Sequence, residues 1–165
     1  MPNDVYPSPS PNEAYGLTVP RQSTSFTVVR PHEVDEHRGA LAIFSSVKRR
    51  GVWSLARRFR VAAIMGEVKL DLREVRIAPG RSDIEVFALW ASVEIIVPPG
   101  IRIDVQDSAF MGEVNWESTD DQQLSRDAPV VMVRGSVIMS SVEIKVRYLG
   151  ESNREAKKRI KAARR

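Results

Sequence analysis

The sequence predicts an all-β chain: a single-domain parallel β-solenoid, or β-helix, of about five short rungs, flanked by a disordered N-terminal leader and a basic C-terminal helix. Three observations predict it. One six-residue phrase returns five times in the same order. The residues after it alternate apolar and polar with period two. Equivalent positions of the five copies also share size and branching. Self-similarity at intervals of this size is the mark of stacked repeats, in which each unit buries its apolar side only against its neighbours.

The copies are Ala42–Val47, Ala63–Val68, Ala88–Val93, Ala109–Val114 and Val137–Val142, so their starts lie 21, 25, 21 and 28 residues apart. Each runs Ala (once Val), apolar, large, small, polar, Val. Behind them Val68, Leu70 and Leu72 alternate with Lys69, Asp71 and Arg73, and Val142, Ile144 and Val146 with Glu143, Lys145 and Arg147. Period two is half-buried strand patterning and excludes helices as the repeating unit. The column Val47, Val68, Val93, Val114, Val142 is uniformly β-branched, and the column Ser45, Gly66, Ala91, Gly112, Ser140 is uniformly small. Successive turns of the chain are expected to lie on top of each other, with Val68, Val93 and Val114 as axial neighbours, and the stacked-repeat reading depends on that.

The remaining elements follow in order. Residues 1–22, with Pro7-Ser8-Pro9-Ser10-Pro11, carry too little apolar surface to offset ordering entropy and read as disordered. Thr24–Val29 has the makings of a short strand, and Pro31–Arg38 reads as a polar connector, so 1–39 forms leader and connector, 40–148 the solenoid domain and 149–165 a basic helix or tail. A second strand precedes each later phrase, at Phe59–Val61, Ile84–Phe87, Ile101–Val105 and Val131–Val133. Pro79-Gly80 and Pro99-Gly100 mark turns. Glu117–Pro129 is a polar insertion expected to form a loop, and Glu151–Arg165 has good helix formers without Pro or Gly.

The phrases at 63–72, 86–100 and 137–144 resemble the repeated apolar-Met-Gly-Gly-Val-Glu phrase of the LiaF-like, cell-wall-active antibiotic response domain. The resemblance covers roughly residues 61–147. It implies a parallel β-helical, non-enzymatic domain of bacterial envelope-stress systems, whose relatives sit behind membrane helices and modulate a sensor kinase or related partner.

The chemistry of the chain points the same way. It has no cysteine, which excludes disulfides and thiolate metal sites. His32 and His37 lie in the polar connector without a third ligand, the serine pairs of the phrases have no neighbouring base, and no phosphate-binding loop occurs. No catalytic residue, cofactor or metal is therefore expected. No run is apolar and long enough to cross a membrane. A cytoplasmic chain, with peripheral contact at the inner face of the membrane, is the expectation.

Two sets of residues are candidates for binding. The ladder Phe44, Met65, Trp90, Met111, Met139 forms an outward apolar stripe if alternation runs unbroken through the phrase, and packs inside if the chain turns at the small residue. The tail bases Arg154, Lys157, Lys158, Arg159, Lys161, Arg164 and Arg165 suit an anionic surface. Residues 41–60 hold six bases and no acid, and read best as a polar cap on the first rung. The expected function is that of an interaction or scaffold domain with a protein partner, a membrane-associated sensor or a second copy of itself. The alternatives are a self-assembling, bactofilin-like structural protein and a module binding nucleic acid through its basic patches, nucleic acid being the least favoured partner.

Overall fold

The computed structural model describes residues 25–110, 112–116 and 124–163, with backbone alone at 107–110 and 163. The leader up to residue 24, Met111, residues 117–123 of the insertion, Arg164 and Arg165 lie outside the described residues.

The chain is built mostly of strands: β1 (Thr27–Val28), β2 (His37–Ile43), β3 (Ser46–Arg49), β4 (Arg58–Ile64), β5 (Glu67–Asp71), β6 (Arg76–Ile77), β7 (Arg81–Leu89), β8 (Ser92–Val97), β9 (Arg102–Phe110), β10 (Glu113–Trp116), β11 (Val130–Ile138) and β12 (Ser141–Val146), followed by one helix, α1 (Asn153–Ala163). All described ladders are parallel. One five-stranded sheet has the order β2-β4-β7-β11-β9, a second the order β3-β5-β8-β12-β10, and β1 pairs with β6 in a small third sheet. Each repeat thus gives one strand to the first sheet, turns a corner inside its phrase, and gives one strand to the second. The strands before the phrases are longer than their apolar runs suggest, because they continue into the first residues of the phrase.

The columns read from the sequence are present, but their order is not that of the chain. Val68 is paired with Val93, Val93 with Val142, and Val142 with Val114. The fifth repeat therefore lies between the third and the fourth, which corrects the expectation that Val93 and Val114 are neighbours.

Charge accounts for this order. Repeat three carries the half-buried acids Asp83, Glu85 and Glu94 on its outer faces. Repeat five brings Arg134 to 2.7 Å from Glu85 and 3.9 Å from Asp83, and Lys145 to 3.2 Å from Glu94. Repeat four carries Asp104 and Gln106 at the positions matching Met132 and Arg134. Laid directly on repeat three, it would set Asp104 against Asp83 and leave Glu85 without its Arg134 contact, and like charges facing each other across strands destabilise a sheet. The 28-residue interval before the fifth phrase gives the chain length enough to return.

The core lies between the sheets, with Val61, Val68, Leu70, Ile84, Val93, Ile95 and Ile144 essentially inaccessible. At the first-repeat end Arg49 lies 5.9 Å from the Trp53 ring and 5.8 Å from the Phe59 ring, and the two rings are 5.5 Å apart. Trp53 Nε1 donates to the Asp71 carbonyl at 2.8 Å. The basic segment thus closes this end of the core. The sheets begin before residue 40: β2 starts at His37, and Phe26 and Val34 are buried. Helix α1 starts at a reciprocal cap. Ser152 N–H donates to Glu155 Oε2 at 2.8 Å, and Glu155 N–H donates to Ser152 Oγ at 3.4 Å.

Candidate functional site

In the four phrases whose large residue is described, the chain turns its corner at that residue, not at the small one. Phe44, Met65, Trp90 and Met139 all have φ between 47° and 49°. This left-handed conformation crowds Cβ against the following carbonyl, at a cost of roughly 1–2 kcal/mol per residue for a side chain other than Gly, Asn or Asp. Three of the corner amides are satisfied by the next repeat in the stack: Phe44 N–H donates to Ile64 O at 3.0 Å, Met65 N–H to Leu89 O at 2.9 Å and Trp90 N–H to Ile138 O at 3.2 Å. The small residue that follows is hemmed in. A Cβ on Gly66 would lie 2.5 Å from the Ser45 carbonyl oxygen.

The left-handed corner sends the ladder outward. Phe44 is 73% exposed, Trp90 55%, Met65 48% and Met139 47%. Trp90 Nε1 lies 3.0 Å from Met139 Sδ, so these two ladder residues touch across neighbouring repeats. Beside it, on the outer face of the first sheet, Leu41, Ile43 and Phe87 are exposed as well, with Ile64, Leu89 and Ile138 half-buried. The sequence reading missed these neighbours. The signal was available, since they occupy the outward phase of strands whose inward residues were already assigned.

Further from the corner the same face becomes charged. Glu85 accepts from Arg134 Nη2 at 2.7 Å and from Arg60 Nε at 3.0 Å. These residues, with Ala62, Phe87, Gln106, Gly135 and Ser136, line a shallow depression of about 570 Å³. Hydrogen bonds from Arg134 and then Arg60 hold the Glu85 carboxyl below the usual carboxylate range. On the second sheet burial opposes the charge of Glu94, but hydrogen bonds from Lys69 and Lys145 outweigh it and lower its pKa. Burial likewise opposes the charge of Lys145, and its contacts with Glu143 and Glu94 outweigh that and raise its pKa.

Stability should therefore fall at both extremes of pH. The lowered carboxylates contribute fully above their ordinary 4.5 and lose that contribution as pH drops through their folded pKa. Lys145 contributes fully below 10.5 and loses its share as pH rises through its folded pKa. Thermal midpoints measured against pH should show a plateau between these limits, and Glu94→Gln should lower the plateau and flatten the acid limb.

The tail bases fall into two groups. Arg159 is tied to the body: its Nε donates to Glu151 Oε1 at 2.8 Å, and its guanidinium lies 4.8 Å from the Tyr148 ring. Burial works against the charge of Glu151, but the Arg159 contact prevails and lowers its pKa. Arg154, Lys157, Lys158 and Lys161 are exposed, while Ala156 of the same helix is fully buried. The helix therefore turns its small apolar face inward and its bases outward. No helix among the described residues is long and apolar enough to cross a membrane.

Four corners on one edge, each carrying an exposed bulky side chain, span the region that a known family shares. Residues 44–146 match the family described as "Cell wall-active antibiotics response LiaF, C-terminal". The chain belongs to this LiaF-like family. It is also 31% identical over 65 residues to Protein LiaF of Bacillus subtilis (strain 168), an alignment covering 39% of this chain and 27% of that protein. The chain thus matches about a quarter of its curated relative. No solved structure matches it significantly. The LiaF-like segment begins at the first corner residue, Phe44, and ends at Val146, the last residue of β12. It contains every described corner of the ladder and leaves α1 outside.

Proposed function

We propose that this chain is a non-enzymatic β-solenoid interaction domain of the cell-wall antibiotic response, and that its corner ladder docks the apolar face of a protein partner. The observation that carries this reading is the choice of residue at the corners. Gly or Asn fits a left-handed corner at little cost, yet this chain places Phe, Met, Trp and Met there and leaves them exposed. Strained, exposed side chains that folding does not require point to binding. Membership of the LiaF-like family supports the physiological setting.

The ladder's geometry suits an amphipathic helix. Successive ladder residues are one strand spacing apart, about 4.8 Å, close to the roughly 5.4 Å rise of one helical turn. Such a helix would carry acidic residues on the edge facing Arg60 and Arg134. The exposed bases of α1 would hold the domain against anionic membrane on the cytoplasmic side, each contributing on the order of 1 kcal/mol. Co-sedimentation with anionic vesicles should then be weak, should fade as salt is raised, and should vanish when Arg154, Lys157, Lys158 and Lys161 are all changed to Gln.

The deciding experiment separates stability from function. The double substitution Phe44→Gly, Met65→Gly relieves corner strain and raises the entropy of the unfolded chain, two effects of similar size. Stability should stay within about 1 kcal/mol of wild type. In cells that depend on this chain, the transcriptional response to a cell-wall-active antibiotic should be lost with the double variant. A normal response from the well-folded variant would remove the ladder from consideration.

A further inference from the structure

We propose that the two ends of the strand stack are complementary, and that copies of this chain add head to tail, the fourth repeat of one copy onto the first repeat of the next. Among the described residues, β2 and β3 are unpaired on one side at one end, and β9 and β10 are unpaired on one side at the other. Each therefore presents a row of free backbone donors and acceptors, the usual template for adding a strand.

The edges fit without any adjustment of register. Following the pairings through the stack, His37 lies in the column of Arg58, Asp83, Met132 and Asp104. Continuing that register into a second copy sets Asp104–Phe110 against His37–Ile43 and Glu113–Trp116 against Ser46–Arg49. The paired segments are equal in length and two residues separate them on both sides, so no bulge is needed. The valine column would continue from Val114 to Val47. The inner column Leu70, Ile95, Ile144, Trp116 would continue to Arg49 of the next copy, placing an exposed Trp beside a guanidinium.

Charge gives the contact its direction. Residues 37–50 hold Arg38, Lys48, Arg49 and Arg50 and no acid, whereas residues 102–116 hold Asp104, Asp107 and Glu113 against Arg102. The column Lys48, Lys69, Glu94, Glu143 is sorted the same way along the stack, bases toward the first repeat and acids toward the fourth. Charged edges normally prevent strand addition. Here the two ends carry net charges of opposite sign, so like ends repel and unlike ends attract. Head-to-tail addition also keeps every strand parallel, as within the chain. Such a contact is heterologous and does not close, so it gives open stacks in place of a fixed dimer. It uses neither the ladder nor its partner, and stands or falls independently of them.

Sedimentation velocity on the full chain, over a concentration series at low and high salt, tests this. The wild-type mass should rise with concentration and fall back as salt increases. Asp104→Lys with Glu113→Lys makes both ends basic, and Arg38→Glu with Lys48→Glu and Arg50→Glu makes the first end acidic. Each variant, folded by circular dichroism, should associate at least about tenfold more weakly than wild type on its own. An equimolar mixture of the two should associate again, because each end then meets its opposite. Phe44→Gly, Met65→Gly should associate like wild type. A wild type that stays single at every concentration, association that survives both charge reversals, or a mixture that does not recover would each overturn the proposal.

Discussion

Gly135→Ala should destabilise the fold by more than about 4 kcal/mol, and Gly135→Val should prevent repeat five from taking its place at all. A Cβ at this position would lie 1.7 Å from the Val86 carbonyl oxygen, 2.6 Å from its carbonyl carbon and 2.8 Å from its nitrogen. All three are backbone atoms of β7, which is held on its far side by β4 and so has no room to retreat. The substitution thus acts on the seam between repeats three and five, where Gly135 pairs with Val86. A suitable control is Gly150→Ala. Gly150 has φ of +77° with nothing within 4 Å of the added carbon, so only the left-handed backbone penalty of about 1 kcal/mol applies. Thermal and denaturant unfolding of the two variants should separate widely. If Gly135→Ala melts within a few degrees of wild type, the approach of β11 to β7 is wrong, and with it the order of the repeats.

Most of this architecture was legible because the repeats are written in side-chain size and branching. Val47, Val68, Val93, Val142 and Val114 do line up, and the two strand segments of each repeat lie in separate parallel sheets. What the repeat could not carry was its own stacking order. The five phrases are written in nearly the same residues, so the core discriminates little between one succession and another. The order is decided on the outer face, where Arg134 and Lys145 meet acids of repeat three and where Asp104 would meet Asp83. Those residues sit outside the repeated phrase, and a reading guided by the phrase passes over them.

The site divided in the same way. The identity of the ladder followed from aligned positions, but its direction depended on one backbone dihedral. Alternation sends Phe44 or Met65 outward, a corner at the following residue sends it inward, and neither pattern foresees a corner at the large residue itself. Nothing in a Phe, Met or Trp announces a left-handed conformation, because propensity argues against it. The tail was legible as a basic helix from composition. The anchoring role of Arg159 depended on Glu151 and Tyr148 being brought under it by the turn at Gly150.

Ending the chain after Pro129 should release a repeat that lies entirely upstream of the cut. The truncation removes β11 and β12, and among the described residues these are the only strands that β9 and β10 pair with. β7 and β8 keep β4 and β5 on their other side. Amide exchange should therefore show residues 102–116 losing nearly all protection, a change of about 100-fold or more, while β4, β5, β7 and β8 remain protected. Repeats stacked in chain order would respond differently, because repeat four would stay on repeat three and lose only its outer neighbour. The orphaned repeat cannot simply move up, since the cut also removes Arg134 and Lys145. The direct register would then bring Asp104 against Asp83, and Gln106 against Glu85, without those two cations. Moving up would save the backbone pairing of β9, but the facing acids make the shifted register the poorer choice. Protection of 102–116 in the truncated chain would mean that pairing outweighs charge here, and the electrostatic account of the repeat order would have to be abandoned.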